Sequence, residues 1–148
     1  MTSGIRRLVT GLYADGRSNV LFDDRAPEGT QILWQSPQVP ADNAGGEDTI
    51  TPFSFDIFRS RGTTFLLAQM QPGESDGPYM HATDTLDYLI VIRGRVRLTV
   101  ETGSVDLDPG DCIVDRGVIH GWEVLGDEPV IMATALMPAG PVASGATI

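Results

Sequence analysis

The sequence predicts an all-β domain, a sandwich or barrel of short antiparallel strands. Apolar and polar residues alternate at period two in run after run, as where Val96, Leu98 and Val100 are set among Arg95, Arg97, Thr99 and Glu101. Nowhere does an i, i+3, i+4, i+7 apolar pattern persist for the length of a helix. The runs are short and end at turn residues, most clearly at Asp108-Pro109-Gly110-Asp111, where proline presets φ and glycine accepts a positive φ. A length of 148 residues suits one domain.

Taken in order, Ile5 to Thr10, Ser18 to Phe22 and Gln31 to Trp34 read as strands, separated by Ala14-Asp15-Gly16 and Ala26-Pro27-Glu28-Gly29. Their mutual pairing is not readable. Ser36 to Pro52 is rich in Pro, Gly, Asp and Asn and forms a long connection, either a lid or an inert surface loop. Thr63 to Met70 is a strand closed by Gln71-Pro72-Gly73. If the next strand stays regular, His81, Thr83, Thr85, Asp87, Leu89 and Val91 share one face, so that a polar edge passes into an apolar interior. Strands follow through Val96 to Val100, Val105 to Leu107, Ile113 and Val114, His120 to Val124, and Val130 to Met137. Gly94 and Gly117 are expected at turns that a side chain would restrict. The tail 138–148 is small and polar enough to be disordered. The expected division is 1–62 for the N-terminal strands and loop, 63–137 for the core and 138–148 for the tail, within one domain.

Composition excludes several functions. A net charge of -10 argues against a nucleic-acid partner, which needs clustered base. All ten basic residues are arginine, so no lysine is present for a Schiff base or a pyridoxal phosphate linkage. No apolar run approaches the roughly 18 residues that span a bilayer, and Leu8 to Tyr13 is too short for the apolar part of a signal peptide. The lone Cys112 has no disulfide partner and reads as a small core residue. The expected compartment is the cytoplasm, with no membrane partner.

The two histidines carry the candidate chemistry. His120 and Trp122 share parity in their strand, so one partly polar cavity is able to collect His81 and His120. Asp87 is an inward acid, and an inward carboxylate needs a metal, a histidine or a hydrogen-bond donor to offset desolvation. Thr83 and Thr85 line the same side. Trp122 is either a wall for a flat ligand or core, and Tyr79 and Trp34 are candidates to close the barrel mouth.

These residues resemble the cupin superfamily. His81 stands at the first position of the first cupin motif, Thr83 where a second histidine is usual, Asp87 where a glutamate is usual, and Gly94 at the closing glycine. Pro109-Gly110-Asp111, Gly117 and His120 resemble the second motif, one residue shorter than the common pattern and with Asp115 where proline is usual. Gly73 stands two residues too early for the glycine before the first motif, and Val124 replaces a common asparagine. The string His-x-Thr-x-Thr-x-Asp-Tyr followed by Arg-Gly-x-x-His-x-Trp resembles a group of small bacterial and fungal cupins. The resemblance implies a jelly-roll barrel, or double-stranded β-helix, with an N-terminal β extension. It also implies a small-molecule ligand and a homodimer in which the extension protects a sheet edge.

Cupin metal sites typically use three histidines and a glutamate. This chain keeps two histidines and a shorter carboxylate, so the alternatives are a divalent transition metal (Fe, Ni or Zn) held by His81, His120 and Asp87, or no metal. In the second case the imidazoles act as general acid and base or only bind ligand. The functions that follow are a metal-assisted oxygenase, a metal-free cyclase, isomerase or lyase using His81, Asp87 and His120, or a non-catalytic barrel that holds a small apolar or aromatic ligand.

Overall fold

The computed structural model describes residues 4–74, 77–142 and 148. Among the described residues there are eleven strands, most of them joined by short turns, with a long connection between Ser36 and Thr51 and one 3-10 turn at Phe55–Arg59. Two strands, β1 (Arg6–Leu12) and β2 (Ser18–Arg25), form an antiparallel hairpin that makes a sheet of its own, with a bulge between Val9 and Thr10. The remaining strands are β3 (Gln31–Ser36), β4 (Thr51–Pro52), β5 (Thr63–Met70), β6 (Thr85–Arg93), β7 (Arg95–Val100), β8 (Gly103–Leu107), β9 (Cys112–Asp115), β10 (His120–Leu125) and β11 (Val130–Pro138). They build a six-stranded sheet in the order β4-β3-β5-β11-β6-β9 and a three-stranded sheet in the order β10-β7-β8. Every pairing is antiparallel, and the two sheets make the double-stranded β-helix, or jelly roll. Among the described residues no helix is long and apolar enough to cross a membrane.

The alternation seen in the sequence places the core between the sheets. Leu89 and Val91 of β6 and Val130 and Met132 of β11 meet Val96 of β7, with Trp122 and Val124 of β10 packed against them. A second cluster, Ile32, Ile57, Leu66 and Leu136, fills the space beside the 3-10 turn. Along β6 the buried residues run Thr85, Asp87, Leu89, Val91, so the interior is polar at one end and apolar at the other. That gradient fixes the place of the site.

Turns hold this arrangement at two glycines. Gly94 joins β6 to β7 at φ +73°, and a Cβ there would lie 2.5 Å from the Pro129 carbonyl oxygen. Gly117, at φ +75°, leads into β10 and lies under the Thr83 carbonyl oxygen, which a Cβ would approach to 2.9 Å.

The N-terminal strands show what pattern alone could not. The first strand pairs with the second, and β3 joins β5 in the larger sheet, with a register shift between Ile32 and Trp34. The long connection carries a cis Val39-Pro40 bond and is anchored by Asp48, whose carboxylate accepts from buried Arg7 at 2.6 and 2.7 Å. The same guanidinium donates to Asp24 at 2.6 and 2.9 Å and to the Leu33 carbonyl at 3.1 Å, tying hairpin, β3 and loop at one point.

Two expectations are corrected. Cys112 is exposed rather than core, because it pairs with Ile90 on the outward row of β9. The tail is ordered at its start: Pro138 ends β11, and Ala139 donates its N–H to the Asp84 carbonyl at 2.9 Å. Residues 143–147, where the rest of the expected disorder falls, lie outside the described residues.

Candidate active site

The two histidines face each other because two strand segments cross there. His81 and His120 form an isolated antiparallel bridge, each backbone N–H donating to the other's carbonyl at 2.9 Å. This bridge precedes β6 and starts β10, and it sets the imidazole rings with centroids 4.5 Å apart, tilted by 54°. The regular strand expected from His81 to Val91 is interrupted by a bend at Asp84, which buries Ala82 and Thr83 together. Inward alternation resumes at Thr85.

Each ring is oriented by a carbonyl two residues earlier in the chain. His81 Nδ1 lies 2.9 Å from the Tyr79 carbonyl oxygen and His120 Nδ1 lies 2.9 Å from that of Val118. A carbonyl only accepts, so in each neutral ring Nδ1 carries the hydrogen and Nε2 keeps the free lone pair. His120 has a further partner, Asp115 Oδ2, 3.0 Å from Nδ1, with both side chains buried. The N–H is aimed at Val118, so the Asp115 contact acts mainly through charge. Asp115 is itself held by the turn that Gly117 permits, its Oδ1 accepting from the Gly117 N–H at 3.1 Å.

Asp87 stands directly across from Asp115 in the pairing of β6 with β9, and both are buried. Burial raises the Asp87 pKa to about 6; the Thr85 hydroxyl opposes this, the Asp115 charge adds to it and the His120 charge reduces it. Oδ1 of Asp87 has no hydrogen-bond partner. The histidines shift in opposite directions. His81 falls below the ordinary imidazole value because of burial, opposed by the Tyr79 carbonyl, with the His120 charge adding to the fall. For His120 burial works the same way, but contact with Asp115, the Val118 carbonyl and the charges of Asp115 and Asp87 outweigh it and raise the pKa.

The remaining predicted residues surround this group. Thr83 and Thr85 share a hydrogen bond of 2.7 Å between their buried hydroxyls. The rings of Trp122 and His120 stand nearly perpendicular, at 75°, with centroids 5.6 Å apart, and Trp122 also packs against the apolar core. Tyr79 is exposed and stacks on His81 at 5.5 Å. Trp34 does not reach the mouth; it lines a cleft outside the barrel, between the hairpin and the larger sheet.

Asp115 is the residue that the sequence reading passed over. The signal was present: Ile113 and Asp115 share parity in a short strand, so an inward Ile113 implies an inward Asp115. The metal triad of His81, His120 and Asp87 does not converge as a ligand set. Among the described residues no three His, Cys, Asp or Glu side chains are placed to hold a metal ion, and Asp87 favours its protonated form more than an ordinary carboxylate does.

Residues 66–137 match the family model of the cupin domain. Over those residues the chain carries a cupin domain. Over 97 residues the cupin chain is 33% identical to phomopsin biosynthesis cluster protein D and 32% identical to phomopsin biosynthesis cluster protein C′, both of Diaporthe leptostromiformis. Each match covers 62% of this cupin and 50% of the relative, so the chain spans about half the length of the curated relatives it matches. Among solved structures, a sugar phosphate isomerase from a cupin superfamily of Silicibacter pomeroyi is similar at 19% identity and TM-score 0.45, covering 52% of this chain and 51% of that one. A Cupin 2 conserved barrel domain protein from Salinispora arenicola is similar at 22% identity and TM-score 0.44, covering 52% and 64%.

Proposed function

We propose that this cupin is a metal-independent acid–base catalyst acting on a small molecule at the polar end of its barrel. The observation that carries the reading is the facing pair of imidazoles, 4.5 Å apart, of which one alone is backed by a buried carboxylate. Environments that push two neighbouring groups apart in pKa assign them opposite roles. His81, neutral near pH 7, presents the Nε2 lone pair as base. His120, held toward the protonated form by Asp115, presents Nε2–H as acid. Trp122 offers a flat wall beside His120. Removing a proton from one position of a ligand and returning one to another is the shared step of isomerisation, cyclisation and many eliminations. The names of the fungal relatives, which refer to a biosynthesis cluster, favour small-molecule chemistry of this kind.

Two measurements test the assignment. In a titration followed by nuclear magnetic resonance of labelled imidazoles, His81 is expected to titrate at lower pH than His120, and the reverse order overturns the roles. Turnover of a panel of enolisable ketones and β-keto acids is expected to survive a strong chelator and to fall roughly 10²- to 10⁴-fold in His120→Ala. Activity that disappears with chelator and returns with iron, nickel or zinc assigns the site to metal chemistry instead. Ligand binding without turnover in any pairing assigns it to a carrier.

A further inference from the structure

Outside the barrel, the hairpin β1–β2 stands off the outer face of the larger sheet and leaves a cleft of about 780 Å³. That volume falls within the roughly 300–1,000 Å³ of small-molecule sites. Its walls are apolar, with Leu8 and Leu12 on the hairpin, both more than half exposed, and Phe65, Leu67 and Ile92 on the sheet. The sheet wall continues an uncharged surface, in which one row across the strands reads Phe65, Ala135, Tyr88, Val114. The outside of the smaller sheet is different: there charges pair in ladders, Arg97 with Asp106 at 2.6 Å and Arg95 with Asp108 at 2.6 Å.

The polar groups of the cleft select what enters it. Arg6 and Arg7 line it, but the guanidinium of each is already engaged, Arg6 by Asp23 and Arg7 by Asp24, Asp48 and the Leu33 carbonyl. Asp42, which also lines it, accepts the Ala44 N–H at 2.9 Å and has no ion pair among the described residues. An anion would therefore meet a carboxylate and two neutralised arginines. A cation meets the reverse. Trp34 and Phe65 stand opposite each other in the pairing of β3 with β5, so the cleft is lined by aromatic side chains on adjacent strands, whose ring faces attract positive charge. The net charge of -10 adds a long-range attraction of the same sign.

We propose that this cleft is a second small-molecule site, taking an organic ammonium with an apolar body. The body lies between the leucines of the hairpin and Phe65, and the charge is met by Asp42 and the aromatic rings. The site is separate from the histidines, and the proposal does not depend on the acid–base reading.

The test is a titration of the isotope-labelled full chain with three probes that share a naphthylmethyl group, namely naphthylmethylamine, naphthylmethanol and naphthylacetate, followed at the indole N–H signals. The chain has two tryptophans, Trp34 in the cleft and Trp122 in the barrel, so each signal reports one site. At neutral pH the amine is expected to saturate the shift of Trp34 with a Kd below about 1 mM and to leave Trp122 in place. The alcohol should bind about 5- to 10-fold more weakly and the carboxylate more weakly still. Asp42→Asn should weaken the amine about 3- to 5-fold without affecting the alcohol, and Leu12→Ser should weaken all three probes. Both positions are exposed, so neither substitution threatens the fold. Equal affinity for the three probes, or preference for the carboxylate, overturns the proposal, as does a Trp34 signal that the amine fails to move at about 10 mM. A shift of Trp122 alone overturns it by placing the probe in the barrel. A Trp34 signal that moves with protein concentration alone does so by giving the cleft to a second copy of the chain.

Discussion

A carboxyl group buried opposite another carboxyl group keeps its proton to higher pH, and Asp87 is in that position across from Asp115. The folded-state pKa of Asp87, about 6, lies above the unfolded value near 3.8. Between those values the folded chain binds the extra proton, so this group's contribution is full below about pH 4 and is lost as pH rises through about 6. Asp87→Asn is therefore expected to gain roughly 2–3 kcal/mol over the wild type between about pH 4 and 7, read from thermal or urea melts across that range. A constant difference across the range would refute the placement. In the proposed mechanism Asp115 is a positioning residue. Asp115→Asn preserves an acceptor for the Gly117 N–H but removes the charge, so it is expected to lower the His120 pKa in the imidazole titration and reduce turnover more than ligand affinity. At this scale the sequence pointed to His81, Asp87 and His120 through residue type and parity. It hid Asp115, because the four residues of β9 give too short a run for the eye to follow.

Turns and tethers set how strands reach the site. Gly94→Ala places a Cβ 2.5 Å from the Pro129 carbonyl at a positive φ, whereas Gly110, also at positive φ, has nothing within 4 Å of where its Cβ would lie. The first substitution is expected to cost more than about 2 kcal/mol and the second about 1, measured by urea unfolding; equal costs would show that the backbone yields at Gly94. Arg7 grips two carboxylates and a carbonyl, a geometry that the forked guanidinium satisfies and an ammonium does not. Arg7→Lys should speed proteolytic cleavage within residues 36–52 several-fold, and an unchanged cleavage rate would show that the loop is held elsewhere. The strands from Thr63 onward were legible because alternation is a local property, and β5 begins and ends where the pattern does. The pairing of β3 with β5 was not, because it joins residues about thirty apart in the chain and passes through a bulge that resets parity. The break at Asp84 escaped for a related reason: burial of both Ala82 and Thr83 obeys tertiary contact rather than period.

The whole molecule places its polar interior at one end, charged ladders on one outer face and an apolar surface on the other. The fold class followed from periodicity and turn residues. The apolar outer face was visible as the unbroken run Leu89 to Ile92, but a run of four reads equally as core, and only the register across β5, β11, β6 and β9 shows half of it turned outward. The cleft behind the hairpin depends on how one sheet stands against another, which no single strand pattern encodes. The bridge between His81 and His120 also bears on timing. The two residues proposed as acid and base are themselves those whose amides close the strand crossing, so parting the strands at that point would also separate their imidazoles. The two amides therefore share one opening event: the His81 and His120 amide hydrogens should exchange with solvent deuterium at one common rate, faster than those of Leu89 and Val91, and a ligand bound at the proposed site should slow both together.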